Sequence, residues 1–322
     1  MTLGPTPTSS RQLLDGLVSQ VVGRRREAEV VVAALAAQRH VLLEGPPGTG
    51  KSTLLRTVAR ELAVGFEFVE GNAELTPARL IGSHDPSRVL HEGYVPDTFV
   101  DGPLVTALRD GSLLYLEEIN RVPEETLNVL VTVMAERELH VPRLGHIVAA
   151  PGFRLVAAMN PFDAVGTARI SSAIYDRTCR VAMGYQEAPD ELEILRRATE
   201  GATPNPPDES WMAKVIELTR ATRDHSDIRV GSSVRGAIDM VLVAVNLAEL
   251  RAEPIRSINV GLDAALAALS GRIRIHEGCG RSADDLVRAL WASIFLTSDD
   301  TPEPDQGKVT GPATTTPGLA KA

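Results

Sequence analysis

The stretch "GPPGTGKST" places Gly45, Pro46, Pro47, Gly48, Thr49, Gly50, Lys51, Ser52 and Thr53 in the pattern G-x-x-x-x-G-K-[ST]. Glycines let backbone N–H groups turn inward onto phosphate oxygens, and a helix starting here would add the positive end of its dipole. Lys51 is then a point charge for the β- and γ-phosphates of a nucleoside triphosphate, and the Ser52 hydroxyl is a ligand for Mg²⁺. Further along, "GSLLYLEEIN" runs an apolar stretch into two carboxylates, Glu117 and Glu118. Phosphoryl transfer to water needs one carboxylate beside the metal's water shell and another to orient the attacking water. Glu117 suits the first task and Glu118 the second, and strand alternation is expected to send the two side chains different ways. The plainer reading is a solvated loop ahead of a helix led by Pro123. Asn160 closes a later apolar run, "FRLVAAMN", where an amide can help hold the lytic water; alone, an Asn before Pro is an ordinary turn.

These residues need strands to carry them. Short apolar runs recur at 40–45, 66–71, 112–118, 153–160 and 180–185. Each is strand-sized and nearly continuous in apolar residues, and helical patterns such as "KSTLLRTVARELA" and "EETLNVLVTVMAE" separate them. That alternation predicts an α/β fold: a three-layer αβα domain around a covered parallel sheet, over residues 11–185. From residue 186 the strand-like runs give way to 3.6-residue apolar periodicity, which predicts a small all-α domain over 186–296. The segments 1–10 and 297–322 have little to bury and are expected to be disordered tails.

Composition narrows the function. Among 322 residues 43% are hydrophobic, and the net charge is −9. An acidic chain has no overall positive field for a phosphate backbone, so no nucleic-acid partner is expected. No apolar run approaches the roughly 18 to 20 residues that cross a bilayer, and the polar start lacks a signal peptide's pattern; the expectation is a cytoplasmic protein without a membrane partner. Cys179 and Cys279 have no metal-ligand spacing, and the loosely gathered His84, His91, His140 and His146 read as solvated loop residues.

Taken together, "VVGRRREAEVVVAALAAQRHVLLEGPPGTGKS", "FVDGPLVTALRDGSLLYLEEINRVPEETLNVLVTVMAERELHVPRLG", "FRLVAAMNPFDAVGT" and "YDR" resemble successive blocks of the MoxR-like AAA+ ATPases, over about residues 15 to 290. The resemblance implies a P-loop NTPase fold with a helical lid. It also implies a homo-oligomeric ring, usually a hexamer, with ATP and Mg²⁺ between subunits. It makes Asn160 the sensor 1 residue, Arg177 an arginine finger reaching a neighbour's γ-phosphate, and Arg235 the sensor 2 arginine. The implied work is chaperone-like remodelling of a client, commonly a von Willebrand factor A domain protein, during maturation or metal insertion. Two inserts also match: residues 87–99, and a β-hairpin over 137–152 turning at Arg143 to Gly145, both expected to line the pore or face the partner.

The chain departs from this family in two places. Glu117 stands where Asp is usual, and Thr178 follows the finger arginine where Phe is common. The extra methylene can shift the metal's water shell by about an ångström, a displacement that can cost roughly 10²-fold in rate. Since Lys51, Glu118, Asn160 and Arg177 are all present, the expectation is an active ATPase whose rate is the property most exposed to Glu117. Two alternatives follow: a nucleic-acid motor of the AAA+ class, and a nucleotide-binding scaffold in which Glu117 leaves hydrolysis vestigial.

Overall fold

A computed structural model describes residues 10–161, 170–202 and 207–296. The predicted disordered tails lie outside the described residues, save Ser10, which opens the helix Ser10–Gln20. Five strands form one parallel sheet in the order Phe66–Glu70, Leu113–Glu117, Arg154–Met159, His40–Glu44 and Thr178–Ala182. Side chains that alternate along a strand meet different neighbours on the two faces. Leu42, Leu114, Leu116, Leu155 and Ala157 join one buried cluster with the helices Pro103–Asp110 and Glu124–Glu136. Val41, Leu43, Leu113, Tyr115, Val156 and Ala158 join another with the helices Ser10–Gln20, Arg25–Ala36 and Lys51–Leu62. Both faces are therefore covered, which is why these strands read as continuous apolar runs rather than as alternating ones.

The helices Ala188–Thr199, Glu209–Asp224, Val234–Arg251, Ile258–Leu269 and Ala283–Phe295 enclose a third cluster around Trp211, Met240 and Trp291. Gly261 makes the tightest joint. A Cβ there would stand 2.2 Å from the Trp291 ring, so the helices Ile258–Leu269 and Ala283–Phe295 touch only because this side chain is missing. Periodicity missed one feature of this region, an antiparallel ladder of Ile228–Val230 with Arg274–Ile275, whose strands are too short to show alternation. The architecture is that of a P-loop AAA+ αβα domain followed by a helical lid.

Both inserts are present. Glu138–Val141 pairs antiparallel with Gly145–Val148, with Arg143 and Gly145 at φ of 68° and 94° in the turn. The other insert carries the helix Pro86–Glu92, capped by Asp85 accepting from Ser87 N–H. The two meet where the Arg143 guanidinium sits 3.8 Å from the Tyr94 ring centre.

Candidate active site

At the carboxyl end of the sheet, strand His40–Glu44 runs into the glycine-rich loop, and the loop runs into the helix Lys51–Leu62. Gly48 and Gly50 take φ of 76° and 84°, a region that side chains with a Cβ enter at a cost of about 1–2 kcal/mol. Gly48 is constrained twice, because a Cβ on it would also lie 2.2 Å from Ser233 Oγ, beneath the start of the helix Val234–Arg251. That contact draws Arg235, with its Cδ 3.6 Å from the same point, over the loop. A cavity of about 390 Å³ opens here between Val21, Gly48, Thr53, Ile194, Val234 and Arg235.

Lys51 is buried, and its Nζ donates to the carbonyls of Gly45 at 2.8 Å and Pro46 at 2.9 Å. Burial holds its ammonium below the ordinary lysine range, against the upward pull of Glu118 and Glu117. Ser52 Oγ donates to Glu117 Oε1 at 2.7 Å, so the loop's hydroxyl and the first carboxylate share one spot. Among the described residues no three His, Cys, Asp or Glu side chains gather into a cage. A hydroxyl and one carboxylate beside a phosphate loop nonetheless fit Mg²⁺, which takes hard oxygens and fills its shell with phosphate and water.

Glu117 ends its strand, and Glu118 turns left-handed at φ 53°. The two carboxylates therefore diverge through a backbone turn, not through the strand alternation expected from sequence. Gly71 makes room for that turn: its N–H donates to Glu117 O at 2.7 Å, and a Cβ would lie 2.4 Å from Glu118 O. The Glu118 carboxylate faces Arg121 at 3.6 Å. Asn160 follows the strand Arg154–Met159 at the same end of the sheet, and its carbonyl accepts from Asn120 Nδ2 at 3.4 Å.

Arg177 lies elsewhere. Thr178 pairs with His40 and Ala182 with Glu44, so Arg177 enters at the amino end of the sheet while the loop leaves at the other. Five residues at about 3.3 Å each put about 16 Å of strand between them. Its Nη1 donates to Ala173 O at 3.0 Å, and it lines a cavity of about 540 Å³ together with Arg39, His40 and Arg137. Burial, then Arg154, Arg137 and Arg39, lower the His40 pKa to about 4, and its Nδ1 accepts from Leu155 N–H at 2.8 Å.

Sequence reasoning missed two residues. Arg24 is buried behind the loop and donates to Thr49 O at 3.1 Å, Gly184 O at 2.6 Å and Glu27 at 2.9 Å, tying the loop to the chain that enters the helical region. No local signal marks it. Tyr115 had one, a phenol in an aliphatic strand at a period-two position from Glu117; its hydroxyl lies 3.2 Å from Ser52 Oγ. Burial pushes that phenol well above the usual tyrosine range.

Sheet order, loop and lid define an AAA+ P-loop domain. In agreement, residues 40–178 match the family model of the AAA domain, dynein-related subfamily. It is 28% identical over 248 residues to the uncharacterized protein YeaC of Bacillus subtilis, covering 70% of this chain and 74% of that protein. It is 31% identical over 219 residues to the gas vesicle ATPase GvpN of Ancylobacter aquaticus, covering 62% and 59%. Among solved structures, a Cytophaga hutchinsonii protein provisionally named an ATPase aligns at a TM-score of 0.50 and 22% identity, over 87% of this chain and 92% of that one. The Thermotoga maritima RuvB Holliday junction branch migration motor aligns at 0.53 and 17%, over 79% and 72%. At those identities the structural likeness speaks to the fold alone. Among the described residues no helix is long and apolar enough to cross a membrane.

Proposed function

We propose that the chain binds and hydrolyses Mg-ATP at subunit interfaces of a ring and uses the cycle to remodel a partner protein, as a MoxR-like AAA+ ATPase. The observation that carries this reading is the 2.7 Å contact between Ser52 and Glu117 beside Lys51, which unites phosphate loop and carboxylate in one site. The GvpN relative, named an ATPase, supports it.

In this reading the loop's N–H groups and Lys51 hold the phosphates, with Lys51 exchanging the carbonyls of Gly45 and Pro46 for phosphate oxygens. Ser52 and Glu117 would hold Mg²⁺, which when bound would supply positive charge against the phosphates. Glu118 orients the attacking water and takes its proton, with Asn160 helping to place that water. Arg235, above Gly48, senses the nucleotide from the helical side.

Arg177, at the far end of its own sheet, serves the next subunit's nucleotide, an arrangement that requires an assembly with a repeated head-to-tail interface. A hexamer and a von Willebrand factor A domain client are what the MoxR resemblance implies. ATP turnover of the purified chain with Mg²⁺, measured beside its Glu118→Gln variant, tests the reading. Turnover lost in that variant supports it; tight Mg-ATP binding with no wild-type turnover would make the chain a scaffold.

A further inference from the structure

Tyr115 stands two residues before Glu117 on the strand Leu113–Glu117, so the two side chains leave the same face of the sheet. Its ring is fully buried, with the Phe66 and Phe68 ring centres 5.8 and 5.6 Å away. Its hydroxyl reaches beyond that apolar packing to Ser52 Oγ at 3.2 Å, and Ser52 Oγ reaches Glu117 Oε1 at 2.7 Å. A serine has one hydroxyl proton and a carboxylate only accepts. With the Ser52 proton committed to Glu117, Tyr115 is the donor to Ser52. The three groups thus form a directed chain, phenol to hydroxyl to carboxylate, whose last two members are the pair that fits Mg²⁺.

A phenylalanine or leucine would fill the same space without burying a hydroxyl, so packing alone does not call for the oxygen. We infer that Tyr115 is a positioning residue for the metal–nucleotide site, fixing Ser52 and Glu117 so that a serine lone pair and a carboxylate oxygen face one hard cation. The inference rests on the Mg-ATP reading of the phosphate loop. It also bears on Glu117 itself. Glutamate has one more rotatable bond than aspartate, and the Ser52 contact that restrains it is the one Tyr115 holds in place.

Mn²⁺ titration of the full chain with ADP, followed by electron paramagnetic resonance, reads the metal directly and without turnover. Tyr115→Phe keeps the ring and is expected to weaken Mn²⁺ binding about three- to tenfold, the size of one hydrogen bond. ADP affinity in EDTA should stay within about twofold, because the loop's own contacts to phosphate are untouched. Ser52→Ala, which leaves the ring alone, should weaken Mn²⁺ binding at least as much, and adding Tyr115→Phe to it should cost nothing further. Wild-type Mn²⁺ affinity in Tyr115→Phe, an equal loss of metal-free ADP binding, or a full further loss on top of Ser52→Ala would each overturn the assignment. A wild-type chain that binds no ADP at all would instead remove the phosphate-site reading, and the role of Tyr115 with it.

Discussion

The two ends of the sheet are built differently. At the carboxyl end Lys51 holds the carbonyls of its own loop, short contacts link Tyr115, Ser52 and Glu117, and Arg24 and Gly48 tie the loop to the helical region. At the amino end Arg177 shares a cavity with Arg39 and Arg137, beside a His40 whose pKa is lowered by burial and then by Arg154, Arg137 and Arg39. One end completes its contacts with itself; the other gathers positive charge around a cavity among whose lining residues Asp176 is the acid, 3.4 Å from Arg177. The contrast fits the proposed shared site, in which one subunit's Arg177 completes a neighbour's centre.

Substitutions at the two ends should separate along this line. Arg177→Ala should lower turnover about 10³-fold while leaving nucleotide affinity close to wild type, read by steady-state kinetics beside a fluorescent-nucleotide titration. Glu118→Gln should lower turnover by about 10²- to 10³-fold and also keep binding, because the amide preserves size but not basicity. If its rate matches wild type, another group takes the proton. Lys51→Ala acts on binding itself, weakening ATP by at least about a hundredfold, the scale of one to two charge-assisted hydrogen bonds. Unchanged affinity there would remove the site.

The amino end also has a pH signature. His40 has a pKa of about 4 in the fold against 6.5 for an ordinary histidine. Above pH 6.5 the ring is neutral folded or unfolded, so His40 adds no pH dependence. As pH falls from 6.5 towards 4, only the unfolded chain takes up the proton, and stability should drop by about 2–3 kcal/mol. His40→Asn keeps an acceptor for Leu155 N–H, and its urea midpoint should fall less over that window than the wild type's. Parallel curves would show that His40 is not responsible. The smallest effect is expected for Glu117→Asp, which keeps the charge beside the metal and should hold or modestly raise turnover. A collapse would show that the site depends on the longer side chain.

The carboxyl end was largely readable from sequence because its determinants are local: a contiguous loop motif, apolar strands that end in Glu117 and Asn160, and the helical spacing of Leu54, Leu55 and Val58. The hairpin at 138–148 was readable for the same reason. What escaped depends on residues far apart in the chain. Arg24 meets Gly184 across the fold, Gly71 is shaped by Glu118, and Gly48 by Ser233. The left-handed turn at Glu118 escaped because nothing in "YLEEIN" favours positive φ; packing imposes it. Likewise, Arg177's distance from its own loop follows from the parallel register of Thr178–Ala182 beside His40–Glu44, which local sequence does not encode.

A proposed active site divided between subunits can be tested by mixing them. Arg177→Ala chains retain their own Lys51, Ser52, Glu117 and Glu118, while Glu118→Gln chains retain Arg177. Co-assembled rings, with mixing verified by differently labelled subunits, should hydrolyse ATP well above the sum of the two mutants alone. Every interface that pairs an intact Glu118 with a neighbour's Arg177 restores one whole site. Verified mixed rings that turn over no faster than that sum would contradict the shared site and leave Arg177 a structural arginine.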